Sequence, residues 1–201
     1  MKSEYVELLH DHYKDSFSHI RDREKSRDRY FVLCILLIGI LFFQVNYPSN
    51  FFTALGQLSI LGTTIDLVSL PLAALLSISW TMNLVFTLRY CQFSIFMERQ
   101  YKYLHKLEET ISKGIGEEAI YSREGASYLE DYPPFTTWAW FFYVWMFPII
   151  VVVSSVLLLY IEMVRGPHAW PYKVYDLLVG VGIAISYFLY RLGPAISKKN
   201  R

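Results

Sequence analysis

Apolar and polar positions alternate in long blocks along this chain, and the block lengths carry the first conclusion. Residues 30–47 (YFVLCILLIGILFFQVNY), 66–88, 136–161 and 174–192 are four predominantly apolar runs. Each is close to the roughly 17–25 residues that a helix needs to cross the hydrocarbon core of a bilayer. The pattern predicts an all-α integral membrane protein with four transmembrane helices. Pro48 and Asn50 end the first run, and Arg89 closes the second. Pro71 falls in the first turns of the second run, where a missing N–H costs little. The third run is the strongest, with no charge from Tyr132 to Ile161. The fourth begins near Asp176 and holds Gly180 and Gly182, with Gly193 just past its end. Glycine is common in transmembrane helices, so the run is kept as a span.

The intervening blocks are helical too. In residues 1–29, Val6, Leu9, Tyr13, Phe17 and Ile20 recur every three or four positions. No proline or glycine separates this stretch from the first span, so one long helix is expected. Past Arg89 the same spacing continues through Phe93, Phe96, Gln100, Leu104, Leu107 and Ile111 to Gly114. Two amphipathic stalks result, and their apolar stripes are expected to face each other or partner subunits. Residues 48–65 read as an external loop containing an interfacial or partly re-entrant helix. Within residues 89–135, the acidic stretch 114–134 is a connector. Gly114 and Gly116 are candidate hinge positions, and Pro133-Pro134 is a rigid entry into the third span.

Composition sharpens this picture. Charged residues make up 18% of the chain, below the about 25% of soluble domains, and they crowd into the stretches between the spans. Lys and Arg are abundant in residues 1–29, in the 89–135 segment and in the 193–201 tail. The 48–65 loop has none, and the 162–173 loop has only Arg165 and Lys173. The positive-inside rule therefore predicts both termini in the cytoplasm. Tyr and Trp at the span ends suit the two interfaces. Residues 1–29 carry both signs of charge and do not read as a signal peptide. A net charge of +1 gives no attraction to nucleic acid, and direct nucleic-acid binding is not expected. Cys34 and Cys91 form no CxxC pair, so neither a disulfide framework nor a zinc site is expected.

Candidate chemistry is sparse. No nucleophile elbow, phosphate-binding glycine loop or HExxH motif occurs. His10, His12, His19, His105 and His168 are scattered, and Glu7-x-x-His10 stands alone where a di-metal bundle needs two such motifs. No catalytic, cofactor-binding or metal-ligating residue is assigned, and no enzyme is expected. Asn83, Ser77, Ser79, Thr81, Ser154 and Ser155 are the deepest polar groups of the spans. Asp66 and Asp176 read as the acids at span ends. No ionisable residue sits at a span centre, which argues against a secondary transporter. Small residues at Ser69, Ala73, Ser77 and Thr81, and at Gly180 with Ala184 and Gly182 with Ser186, allow close helix approach. They fit either a subunit interface in a homo-oligomer or packing within one chain. Arg99, Tyr101, Lys102, His105 and Lys106 form a basic-aromatic patch suited to a partner protein, a nucleotide signal or lipid headgroups.

Three stretches carry a resemblance: HYKDSFSHIRDREKSRDRYF near the start, RYCQFSIFMERQYKYLHKLEE over residues 89–109, and YSREGASYLEDYPPF over residues 121–135. They resemble small bacterial multi-span membrane proteins, and the layout is similar to the SLATT class of anti-phage defence effectors. This chain departs from that class in having four spans rather than two. The resemblance implies an inner-membrane effector or membrane subunit that oligomerises and damages the bilayer on a cytoplasmic trigger, with no catalytic residues carried over. A passive membrane anchor for a cytoplasmic partner is the alternative, and a membrane enzyme or carrier a more distant one.

Overall fold

The structure is a computed structural model and describes residues 2–56, 71–115, 134–166 and 168–199. All regular structure among them is helical. Helix α1 spans Lys2–Asn46, α2 Pro48–Gly56, α3 Leu72–Ile115, α4 Pro134–Phe141, α5 Phe147–Arg165 and α6 Trp170–Lys199. A π-helical segment, Phe142–Met146, joins α4 to α5. Among the described residues, four helices are long and apolar enough to cross a membrane: those containing Glu7–Asn46, Leu72–Lys113, Thr137–Arg165 and Trp170–Leu192. The all-α, four-span architecture read from the sequence is the one observed.

Boundaries follow local chemistry. α1 runs unbroken from the polar stalk into the first apolar run, since nothing between them breaks a helix. α2 begins at Pro48, whose fixed φ suits a first helical turn. α3 begins just after Pro71, and positions 66–70 of the second apolar run lie outside the described residues. The helix passes through Gly114 and ends at Ile115, while Gly116 and Pro133 lie outside the described residues. Pro134 opens α4. The π segment immediately precedes Pro148, whose ring cannot tolerate the carbonyl of residue 144 at normal α spacing. One wider turn relieves that clash. α5 continues four residues past Ile161, so the charged residues Glu162 and Arg165 belong to the helix rather than to a loop.

The chain forms two compact units, 1–29 with 92–146, and 30–91 with 147–201. In the first, the two stalk stripes pack on each other. Ile20, Met97, Leu104, Leu107 and Ile111 are buried. Tyr13 donates to buried Glu108 at 3.0 Å, His12 Nε2 meets Tyr103 at 2.8 Å, and the Arg23 guanidinium lies over Phe93 and Phe96. Arg27 lies over Tyr143 of the π segment.

The second unit buries one face of each of four helices. Cys34, Leu37, Leu41 and Gln44 line α1, and Ala73, Leu76, Trp80, Asn83, Thr87 and Tyr90 line α3. Phe147, Val151, Ser155, Leu158 and Glu162 line α5, and Asp176, Val179, Ile183, Tyr187 and Tyr190 line α6. On α3 the steps alternate between three and four residues, the spacing of a coiled-coil seam. The outward faces carry Val32, Ile35, Leu36, Val85, Val153, Val156, Leu157, Ile185 and Phe188, all exposed. This is the lipid-exposed pattern: apolar side chains outward, and polar ones turned to the helix interior.

Candidate functional site

The polar side chains of the second unit are its most informative feature, and they lie on the inward faces. At one end of the unit, next to the short 166–169 connector, Trp80 Nε1 donates to Glu162 Oε2 at 3.0 Å. Trp80 is 0% exposed, Glu162 1% and Asp176 0%. Glu162 and Asp176 interact directly across the α5–α6 hairpin. Beyond this mutual contact and the Ser77 hydroxyl beside Asp176, Glu162 Oε1 and the Asp176 carboxyl oxygens have no hydrogen-bond partner. Lys173 lies close by, yet its ammonium donates to the Met163 carbonyl at 3.0 Å rather than to either acid. His168, in the connector, is held below its ordinary pKa by partial burial and by the Lys173 charge.

Further along the same face of α3 come Asn83, 0% exposed with both amide atoms unpartnered, and then Thr87, whose hydroxyl is 3.9 Å from Cys34 Sγ. Ser155 Oγ is also buried and unpartnered, and the buried Tyr187 hydroxyl lies beside Thr87. Ten residues past Trp80, about 15 Å of helix, the polar column meets aromatic rings from all four helices. Phe31 and Phe147 centroids are 4.4 Å apart, Tyr90 and Phe147 5.0 Å, Phe147 and Tyr187 6.2 Å, and Tyr90 and Tyr190 6.4 Å. The interior is thus acidic at one end, amide and hydroxyl in the middle, and filled by tilted and edge-on rings at the other.

A groove of about 640 Å³ opens beside the acidic end, lined by Ala74, Ser77, Thr81, Met82, Tyr172 and Tyr175 among others. Thr81 Oγ1 and Tyr175 OH are 2.8 Å apart across it. Ser77 is half-buried in the groove wall, with its hydroxyl beside the Asp176 carboxyl.

The small residues fall into place unevenly. Ala73 is buried in the unit, and Ser77 and Thr81 line the groove. Ser69 lies outside the described residues. Gly180 lies against α5, where a Cβ would collide with Leu159 Cδ1. A Cβ on Gly182 would meet Leu84 at an ordinary 3.4 Å. Ser186 donates back to the Gly182 carbonyl at 2.6 Å, and Ala184 lines a second shallow groove with Gly180. In the stalk, Arg99, Lys102, His105 and Lys106 are exposed, Tyr101 is half-buried, and His105 Nδ1 approaches Glu108 at 4.0 Å.

Sequence reading missed Glu162. The run lengths assign it to the 162–173 loop, with Asp66 and Asp176 as the acids at span ends, whereas the structure has it inside α5. A signal was present: Glu162 and Asp176 both lie within two turns of the short 166–169 connector, on the two helices it joins, so an antiparallel hairpin there brings their helix ends side by side. Trp80, read as part of an apolar run, also gave no sign of its polar role.

Comparison of the chain with protein-family models, with curated proteins and with solved structures finds no match.

Proposed function

We propose that this protein is a membrane-embedded effector, or the membrane subunit, of a bacterial anti-phage defence system. In this reading it sits in the inner membrane with both termini in the cytoplasm, as the Lys and Arg distribution favours. It associates with further copies of itself and lets ions cross the bilayer when triggered. The observation that carries the reading is the column of buried polar groups inside the second unit, Glu162, Asp176, Asn83, Ser155 and Tyr187. Polar groups are expensive inside a membrane and typically mark ion pathways. A passive anchor has no use for them. The aromatic layer of Phe31, Tyr90, Phe147 and Tyr187 acts as the closure at rest.

The trigger is a cytoplasmic partner protein or a nucleotide signal acting on the stalks, at the patch of Arg99, Tyr101, Lys102, His105 and Lys106. α1 and α3 each run uninterrupted from stalk to apolar span, which supports transmission by helix displacement. Gly114 and Gly116 are the proposed hinge between stalk and connector, and Pro133-Pro134 the proposed coupling to the third span.

The test is membrane potential in cells expressing the full chain, with and without phage challenge. Depolarisation on challenge, lost in Asn83→Leu at equal abundance and in the Arg99→Glu, Lys102→Glu, Lys106→Glu triple variant, is the expected result. An unchanged potential in protected cells would leave the passive anchor as the better reading. Reporter fusions at residue 201 and at residues 57–62 are expected to report opposite sides of the membrane.

A further inference from the structure

We propose that Glu162 and Asp176 form a proton-binding site that loads and unloads through the groove walled by Ser77. The inference rests on the reading of the polar column as an ion path, and names the ion it carries.

Two carboxyl groups meet here inside a helical hairpin, both essentially inaccessible, and beyond each other and the Ser77 hydroxyl three of their four oxygens find no partner. Buried polar atoms normally find partners, and a buried charge without a counter-ion is costly. The counter-ion at hand is otherwise engaged, because Lys173 donates to a backbone carbonyl. Two further observations point to a bound species rather than to packing. Ser77, half-buried in the groove wall, brings its hydroxyl to the Asp176 carboxyl. Asn83, fully buried with both amide atoms unpartnered, follows one turn beyond Trp80 on the same face of α3. The arrangement gives an entrance, an acidic pair and an onward polar station in order.

The chemistry favours a proton over a metal cation. No group of three or more metal-ligating side chains occurs among the described residues. The groove wall is largely aliphatic and aromatic, and the Lys173 charge beside Glu162 opposes a second cation. A proton needs only one oxygen. It arrives on water in the groove, forms one O–H bond with a free Asp176 oxygen and cancels one of the pair's two negative charges. Breaking that bond returns it to water, or passes it by way of Glu162 toward Asn83. Trp80 keeps Glu162 Oε2 occupied as an acceptor and so leaves Oε1 as the exchanging atom. Among the described residues, the other ionisable groups acting on the pair are Lys173 on α6 and His168 in the connector. α3 presents Ser77 and Trp80 there, neither of them charged.

The experiment uses the full chain in lipid nanodiscs and in liposomes. Infrared difference spectra in nanodiscs should show a protonated-carboxyl C=O band that titrates with pH and is absent from Glu162→Gln/Asp176→Asn. Liposomes with an entrapped pH dye and a potassium diffusion potential should show proton uptake, reduced about tenfold or more in that variant. Glu162→Gln alone, which preserves an acceptor for Trp80, serves as the control if the double variant does not fold. No titrating band, or a band unchanged in the variants, overturns the site. Sodium or potassium flux that the variants leave unaltered overturns the proton assignment, while the membrane-permeabilising reading survives. A titrating band with no flux of any ion upholds the site and overturns the conducting reading.

Discussion

The Trp80 indole N–H donates to Glu162 across 82 positions of sequence, with both side chains fully buried. This bond joins the second apolar helix to the third and fixes which way one arm of the acidic pair points. Trp80→Phe should remove the donor and leave Glu162 without its indole hydrogen bond. Orphaning a buried polar group costs about 1–3 kcal/mol, so the unfolding free energy in detergent should fall by an amount in that range. Trp80→Phe with Glu162→Met removes both polar partners and should recover most of the loss, since the penalty comes from an orphaned buried group. A double variant no better than the single would mean that the bond contributes little beyond ring packing.

Gly180 and Gly182 lie two residues apart yet should respond differently to the same change. A Cβ at Gly180 runs into Leu159 of α5, whereas at Gly182 it meets Leu84 at ordinary contact distance. Gly180→Ala is expected to destabilise by about 1–3 kcal/mol, and Gly182→Ala to be near neutral. Leu159→Val in the Gly180→Ala background, which withdraws the colliding methyl at a smaller loss of volume, should restore part of the loss. Denaturant unfolding in mixed micelles measures all three.

The stalk hairpin depends on a polar contact between its stripes. Tyr13→Phe removes the hydroxyl that donates to Glu108, a carboxylate only 3% exposed. A loss of about 1–2 kcal/mol is expected. It should appear as faster amide hydrogen exchange over residues 97–113 with little change over residues 147–165.

Phe147 touches rings from three other helices in the layer that closes the polar column. Phe147→Ala should open a basal leak, seen as lower membrane potential on expression without challenge. It also leaves a cavity costing about 3–5 kcal/mol, so protein abundance must be measured alongside. Phe147→Leu, which keeps most of the volume, should hold abundance and show a smaller leak. Unchanged potential in both variants at normal abundance would remove the ring layer as the closure.

His168 gives a pH dependence with a defined sign. Burial and the Lys173 charge lower its pKa from the ordinary 6.5, so folding favours the neutral ring. Its contribution to stability is complete above about pH 6.5 and is lost as pH falls toward the folded-state value. The ring is half-buried. On acidification from pH 7 to 5 the parent should lose melting temperature relative to His168→Gln, and the difference between the two should be constant near pH 8.

The sequence by itself determined the class of this protein, the four apolar helices and the continuity of stalk with span. Those properties follow from run length, from three-to-four spacing and from the absence of helix breakers between residues 21 and 46 other than Gly39, and each is local. It also placed Asn83, Ser155 and Asp176 in or beside spans, because a polar letter in an apolar run is visible without a fold. Only the tertiary structure decided which of these letters meet. Glu162 looked like a loop residue until α5 was seen to continue past Ile161, and Trp80 looked like packing until its N–H found a carboxylate on another helix. Gly180, equally suited by spacing to a subunit interface, packs against Leu159 of its own chain. A spacing of three or four says that a residue lies on a stripe. Which partner the stripe faces depends on the rotation of each helix about its axis, and that is set jointly by the other three helices.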